Sequence, residues 1–316
     1  MKVVLAGGSG QVGTMLARGL TAQGHDIVVL SRNRNGGGAT KTEYWDACSL
    51  GSWTDQLAGA SAIINLAGRT VNCRYTAENQ RLIKESRVAS TSVIGQAIQA
   101  MKKPPDAWLQ MSTATIYAHR FDAANDEYTG IIGGSEADAP QKWRFSIEVA
   151  KAWEGAVDDS HPPESTRVVK LRTSVVMSAD RGGIFDVLSS LVKCGLGGAS
   201  GDGRQYVSWI EDTDFVRAIQ LILETDTLSG PVNLAAPEPL PNEAFMRAIR
   251  QAYGMPFGLP ASNWMLELGA IPLQTETELL LKSRRVVPTK LLQAGFTFAF
   301  PAWPDAAKEL VKRMRI

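Results

Sequence analysis

Seven residues near the start of the chain, Gly7-Gly8-Ser9-Gly10-Gln11-Val12-Gly13, restrict the fold more than any other stretch. Before them, Val3 to Ala6 is a short apolar run of the kind that forms a strand buried on both faces. After them, Val12, Met15, Leu16 and Leu20 recur at helical spacing and stop at Gly24, a residue suited to ending a helix. Ile27 to Leu30 is a second apolar run. Strand, glycine turn, helix, strand is one βαβ unit, which requires a right-handed crossover. In that context Gly-x-x-Gly-x-x-Gly carries a mechanism. Gly7 permits the tight turn, Gly10 leaves the backbone open to a pyrophosphate, and Gly13 lets the helix pack closely on the strand. The helix start adds unpaired N–H groups and partial positive charge. Gly7, Ser9, Gly10, Gln11, Val12 and Gly13 are therefore candidate dinucleotide-binding residues.

The end of the second strand indicates which dinucleotide. An NAD site places a carboxylate there for the ribose 2′-hydroxyl. Here the residues are Leu30-Ser31-Arg32, with Arg34 nearby. A carboxylate would repel the extra phosphate of NADP(H), whereas Arg32 can grip it with a planar fork. Asp46 follows Tyr44-Trp45, where a third strand would end; it suits either a bond to the adenine amino group or a capping role.

Strand-helix alternation continues through Ala62–Leu66, a helix over 76–101, Ala107–Met111, a long loop from Ser112 to Pro140, a helix over 145–157 and a strand over 167–171. Beyond about residue 180 it loosens. This predicts an α/β fold: a Rossmann-type doubly wound parallel sheet over residues 1–175, then a smaller α+β substrate domain over 176–316, with some segments returning to the sheet. Asn242 is expected to cap a helix, Asp214 to support the start of another, and Pro304 to open the last one.

The chain has 316 residues, a formal net charge of +1 and three scattered cysteines. That balance argues against nucleic acid and acidic membranes as partners, and the cysteine spacing offers no metal site. A reduced, cytoplasmic protein, monomer or homodimer, acting on a small molecule is the expectation. The basic clusters Lys282-Ser-Arg284-Arg285 and Lys308–Arg315 read as solvated helix faces.

Gly7-x-x-Gly10-x-x-Gly13, Asn65-Leu66-Ala67-Gly68 and Ser112-Thr113-Ala-Thr-Ile-Tyr117 together resemble the extended short-chain dehydrogenases/reductases, the NAD-dependent epimerase/dehydratase family. Arg74-Tyr-Thr76, Ser86-Arg87, Trp153-Glu154, Gly203-Arg-Gln205, Ser208-Trp-Ile210, Asn233 to Pro239 and Arg285-Val-Val-Pro288 are similar to an atypical subgroup, the epimerase family proteins with a C-terminal domain of unknown function. The likeness spans nearly the whole chain. It implies that Leu66, Ala67 and Gly68 line the dinucleotide site. It also implies a catalytic trio of Ser/Thr, Tyr and Lys, in which Tyr exchanges a proton with the substrate, Lys assists it and Ser/Thr holds the substrate oxygen.

Thr113 falls on the Ser/Thr position. Counting back from Glu154 puts Ser146 at the tyrosine position and Ala150 at the lysine position, with Lys151 one residue late. Losing a general acid/base typically costs about 10²–10⁴ in rate. Tyr117 and His119 are the alternative proton carriers, and Lys142, Arg144 and Lys151 either bind an anionic substrate or coat a helix. Val207 stands where nucleotide-sugar enzymes of the family tend to have an arginine, and Arg204 is a nearby substitute. Within the subgroup a histidine usually occupies the position of Glu211, and a lysine that of Gln80. Trp143, Trp153, Trp209 and Trp264 are expected in the core or pocket wall. Two functions fit: an NADP(H)-dependent oxidoreductase or epimerase with a rearranged acid/base, and a non-catalytic NADP(H)-binding sensor.

Overall fold

The alternating apolar runs become seven parallel strands. The computed structural model describes residues 1–33, 40–136, 140, 143–262, 264–265 and 277–315; Arg34 and Lys142 lie outside the described residues. The first part runs β1 (Lys2–Ala6), α1 (Gln11–Ala22), β2 (Asp26–Ser31), β3 (Lys41–Tyr44), β4 (Ala62–Asn65), α2 (Ala77–Ala100), β5 (Ala107–Thr113), α3 (Arg144–Asp159) and β6 (Arg167–Thr173). Then follow β7 (Val175–Met177), α4 (Ile184–Lys193), β8 (Tyr206–Val207), β9 (Trp209–Glu211), α5 (Asp212–Glu224), β10 (Gly230–Leu234), β11 (Leu240–Pro241), α6 (Asn242–Tyr253), α7 (Glu278–Leu281), α8 (Thr289–Gln293) and α9 (Trp303–Met314). The sheet order is β10-β6-β5-β4-β1-β2-β3, and every pairing is parallel. The doubly wound α/β expectation is borne out, and β10 returns to the sheet from the later part of the chain.

Strand parity sorts the two faces, because successive side chains point opposite ways. Val3, Leu5, Val29, Ile64 and Leu109 pack with Leu16 and Leu20 of α1 and Phe215 and Ile219 of α5. Val4, Val28, Ile63 and Trp108 pack on the other face with Val93, Ile94 and Ile98 of α2. A third cluster holds the C-terminal elements: Trp303 stacks on Phe245 at 4.2 Å and tilts against Trp209 at 4.8 Å. Among the described residues no helix is long and apolar enough to cross a membrane.

Several local expectations are corrected. Asn242 is the first helical residue of α6 and turns its side chain away to accept from the Ser200 N–H. Glu211 caps α5, and Asp214 stands in its first turn as expected, with its carboxylate also accepting from the Ala299 and Phe300 N–H groups. Trp143, Trp153 and Trp209 are buried, but Trp264 is 66% exposed. Lys282 and Ser283 are buried rather than solvated, because the segment carrying them lies against the loop after β5. In the other basic cluster Lys308 and Lys312 are solvated as expected, but Arg313 is drawn inward to an acidic pair.

That pair makes stability pH-dependent. Arg313 reaches Glu211 at 2.6 Å and Asp212 at 2.5 Å, fastening α9 to the start of α5. Burial and the neighbouring Asp212 push Glu211 up to about 8. Asp212 is held down at about 2, against its burial, by hydrogen bonds from Glu211 and Arg313. The Glu211 contribution is full below its ordinary value and is lost as pH rises through about 8; the Asp212 contribution is lost as pH falls through about 2. Urea midpoints are therefore expected to fall from mildly acidic pH to pH 8, and Glu211→Gln should flatten that slope.

Candidate functional site

Because all seven strands run the same way, their carboxyl ends share one edge of the sheet. The strand order reverses between β4 and β1, which opens a crevice at that edge. The two loops bordering it touch: Gly7 has φ +75°, and a Cβ there would sit 2.8 Å from Ala67 Cα. Gly7 therefore serves both the turn and the close approach. The Gly7 N–H donates to Leu30 O at 2.9 Å, and Leu66 N–H to Ala6 O at 2.8 Å. The buried Asn65 shapes the second loop by accepting from the Ala67 N–H at 3.0 Å and donating to Gln110 at 3.0 Å. Leu66 is partly exposed and Gly68 exposed. A Cβ on Gly68 would meet the Arg87 guanidinium at 3.1 Å.

The start of α1 faces this crevice with no side-chain cap on Gly10 and no acidic residue in its first turn. A Cβ on Gly13 would collide with Gly8 Cα at 2.4 Å, so helix packing demands that glycine. Gly10 differs: the nearest atom to a Cβ there is Gly7 O at 3.9 Å, and its backbone is extended at φ −77°. Among the described residues nothing requires a glycine at Gly10. Ser9, Gly10 and Gln11 are exposed and Val12 is partly so.

At the end of β2 the Ser31 hydroxyl donates to Ser9 Oγ at 3.0 Å, joining the second strand to the glycine loop. Arg32 is exposed beside it. Asp46 lies past the end of β3, and its carboxylate accepts from the Cys48 and Ser49 N–H groups at 2.8 and 2.9 Å and from the Ser49 hydroxyl. The Ser49 hydroxyl and those amides hold it below the usual carboxylate range. These bonds close a turn at residues 46–49 and cap no helix, since the 3₁₀ helix Ser52–Leu57 that follows starts at Gly51 without a side-chain cap.

Thr113 ends β5 and is partly exposed; its Oγ1 accepts from the Thr115 N–H at 3.1 Å at the start of a short 3₁₀ turn. Tyr117 is only 2% exposed. Its hydroxyl donates to Asn233 Oδ1 at 2.9 Å and accepts from Arg172 at 3.0 Å. Arg172 forms a fork with Glu154, both bonds 2.9 Å, and Ser112 donates to Glu154 at 2.6 Å. Burial pushes the Tyr117 hydroxyl above its ordinary value, with Arg172 and Asn233 pulling the other way. The Tyr117 hydroxyl is thus buried between partners from β6 and β10. His119 Nδ1 accepts from the Ser283 N–H at 2.8 Å, and its ring lies edge-on to Phe121 and Trp143.

On α3, Ala150 is fully buried among Ala114, Ile116 and Tyr117, and Lys151 and Arg144 are exposed. Ser146 is partly exposed and donates to Glu278 Oε2 at 2.6 Å. Lys282, 2% exposed, donates to Thr115 O at 2.8 Å; burial pulls its ammonium down to about 8. Arg284 Nε donates to Thr115 Oγ1 at 3.1 Å. Sequence reasoning missed Glu278, Lys282 and Arg284 near Thr113. A charged cluster far along the chain carries no local sign that it folds back inside.

Residues 3–235 match the NAD dependent epimerase/dehydratase family, and residues 261–310 match a domain of unknown function, DUF1731. The chain is 30% identical over 315 residues to the epimerase family protein SDR39U1 of Bos taurus, covering 98% of this chain and 100% of that one. It is 29% identical to the epimerase family protein YfhF of Bacillus subtilis, with 98% of each chain covered. The crystal structure of human epimerase family protein SDR39U1 (isoform 2) with NADPH superposes with a TM-score of 0.84 at 28% identity, covering 99% of both chains.

Proposed function

The chain belongs to the NAD dependent epimerase/dehydratase family, and on that premise we propose that it binds NADP(H) across the strand ends and acts as an oxidoreductase or epimerase on a small molecule. The observation that carries this reading is Gly10, a glycine that the protein's own packing leaves unexplained, at an uncapped helix start. A pyrophosphate drawn to that helix end accounts for it. The human relative bound to NADPH supports the choice of dinucleotide.

Gly7, Ser9, Gly10, Gln11, Val12 and Gly13 would hold the pyrophosphate, Ser31 and Arg32 the 2′-phosphate, and Leu66, Ala67 and Gly68 the opposite wall. The bound dinucleotide would supply hydride exchange. Thr113 would hold the substrate oxygen, and residues 176–316 would close over the substrate. A nucleotide sugar is the substrate class this reading favours: Arg204, 5.9 Å over the Phe121 ring, offers it a cation and an aromatic face.

Calorimetry tests the reading directly. NADPH should bind wild-type protein, and Arg32→Ala should weaken it roughly 10- to 150-fold, from about 1.5–3 kcal/mol per charged hydrogen bond. NADH affinity should hardly change. Equal losses for both, or no NADPH binding, would remove the assignment. A second reading, a non-catalytic NADP(H) sensor, is favoured by one observation: Ala150 is sealed in apolar core where the family has its lysine. Tight NADPH binding without turnover across a broad carbonyl panel would support it.

A further inference from the structure

Ser146 projects from α3 at the register of the family's tyrosine, and its hydroxyl is committed to a carboxylate from far along the chain. Glu278, 2% exposed, accepts that bond at 2.6 Å. Lys282 Nζ lies 4.0 Å from Glu278 Oε1 and donates to Thr115 O. Thr115 in turn donates its N–H to Thr113 Oγ1. Three separate segments thus converge where β5 ends, with Ser146, like Thr113 and Thr115, partly exposed. We propose that Ser146, backed by Glu278, replaces the missing tyrosine as the group that exchanges a proton with the substrate oxygen.

This rests on the NADP(H) reading above. A lone serine is too weak an acid or base for the task; a carboxylate bonded to it turns it into a relay. In the direction of substrate oxidation, the substrate O–H bond breaks as a new Ser146 Oγ–H bond forms. The original Ser146 proton passes to Glu278 Oε2. Two protons shift for a net transfer of one, Glu278 becomes neutral, and the electron pair left on the substrate oxygen would form the carbonyl as the carbon gives up its hydride to the dinucleotide. In the direction of carbonyl reduction each proton returns. Ser146 is the catalytic residue; Glu278 acts through it. Among the described residues, the charged groups facing Glu278 are Lys282 and Arg284 from its own segment, and Glu136 from the loop after β5 acts on Lys282 in turn.

The test uses full-length protein, NADPH and 9,10-phenanthrenequinone as the carbonyl probe. Ser146→Ala and Glu278→Gln should each lower kcat about 10²–10⁴-fold, with the KM for quinone and the calorimetric NADPH affinity unchanged. Both should lose one limb of the wild-type pH profile, and Glu278→Asp, which keeps the charge, should recover part of the rate. By infrared titration, Glu278→Gln should delete a buried carboxyl band and Ser146→Ala should move it. Unchanged NADPH affinity shows that a variant is folded. The proposal is overturned if either Ser146→Ala or Glu278→Gln keeps the wild-type rate, or if wild-type protein binds NADPH but reduces no quinone. Failure of wild-type protein to bind NADPH at all overturns the dinucleotide reading instead, and the two failures are told apart by the calorimetry.

Discussion

Arg172→Ala is expected to be among the most destabilising single substitutions in the chain, at about 3–5 kcal/mol, because it strands a buried carboxylate. The Arg172 and Glu154 side chains are 10% and 9% exposed. Their fork joins α3 to β6, Ser112 ties it to β5, and Tyr117 and Asn233 extend it to β10. Among the described residues, removing the guanidinium leaves Glu154 with Ser112 as its partner and takes away the donor to the Tyr117 oxygen. Removing both charges at once, as Glu154→Leu with Arg172→Met, should cost less than the sum of the single changes, since neither charge is then left alone. Urea denaturation of the two single variants and the double variant measures the difference. Equal stability of wild type and Arg172→Ala would show that the network adds nothing.

Two glycines of one loop should fail in different ways. Gly13→Ala drives a Cβ to within 2.4 Å of the Gly8 backbone. Backbone cannot swing aside as a side-chain tip can, so an overpacking cost of about 1–3 kcal/mol is expected, together with loss of NADPH binding. Gly10→Ala meets no protein atom closer than 3.9 Å and needs no unusual dihedral. Its stability should stay within about 1 kcal/mol of wild type, the scale of a weakened helix cap. NADPH should nevertheless bind roughly 10- to 150-fold more weakly, since amide–phosphate bonds of about 1.5–3 kcal/mol are lengthened by the added methyl. Calorimetry beside thermal melting separates the two cases. A Gly10→Ala protein with wild-type affinity would mean that no phosphate approaches there.

The parts legible in the sequence are those encoded by short-range pattern. Apolar runs marked β1, β2, β4, β5 and β6, because strands covered on both faces need no polar alternation. Thr76, at the start of the helix read over 76–101, caps α2, accepting from the Asn79 N–H at 3.2 Å. Gly24, at φ +83°, follows the end of α1. The glycine loop was legible because one local stretch carries turn, ligand approach and helix packing together.

What escaped is long-range. Asp214 is the helix-start residue it looked like, but its carboxylate also serves the backbone at 299–300, which no local window contains. Tyr117 sat in a family motif beside Thr113, yet its partners Arg172 and Asn233 come from strands far along the chain. Lys282 read as solvated because lysine usually is. It is buried because Thr115 O and Glu278 await it in the folded protein.

The stitching of the 277–287 segment onto the loop after β5 bears on biosynthesis. Asn125 pairs with Val286 in an isolated bridge, and the Ser283 hydroxyl donates to Arg120 O at 3.0 Å. As the nascent polypeptide emerges, its sheet can begin to assemble early, but β6 keeps a bare margin until β10 arrives. A ribosome stalled ahead of that segment would hold a species whose loop after β5 still lacks the bridge to Val286 and the bond from Ser283.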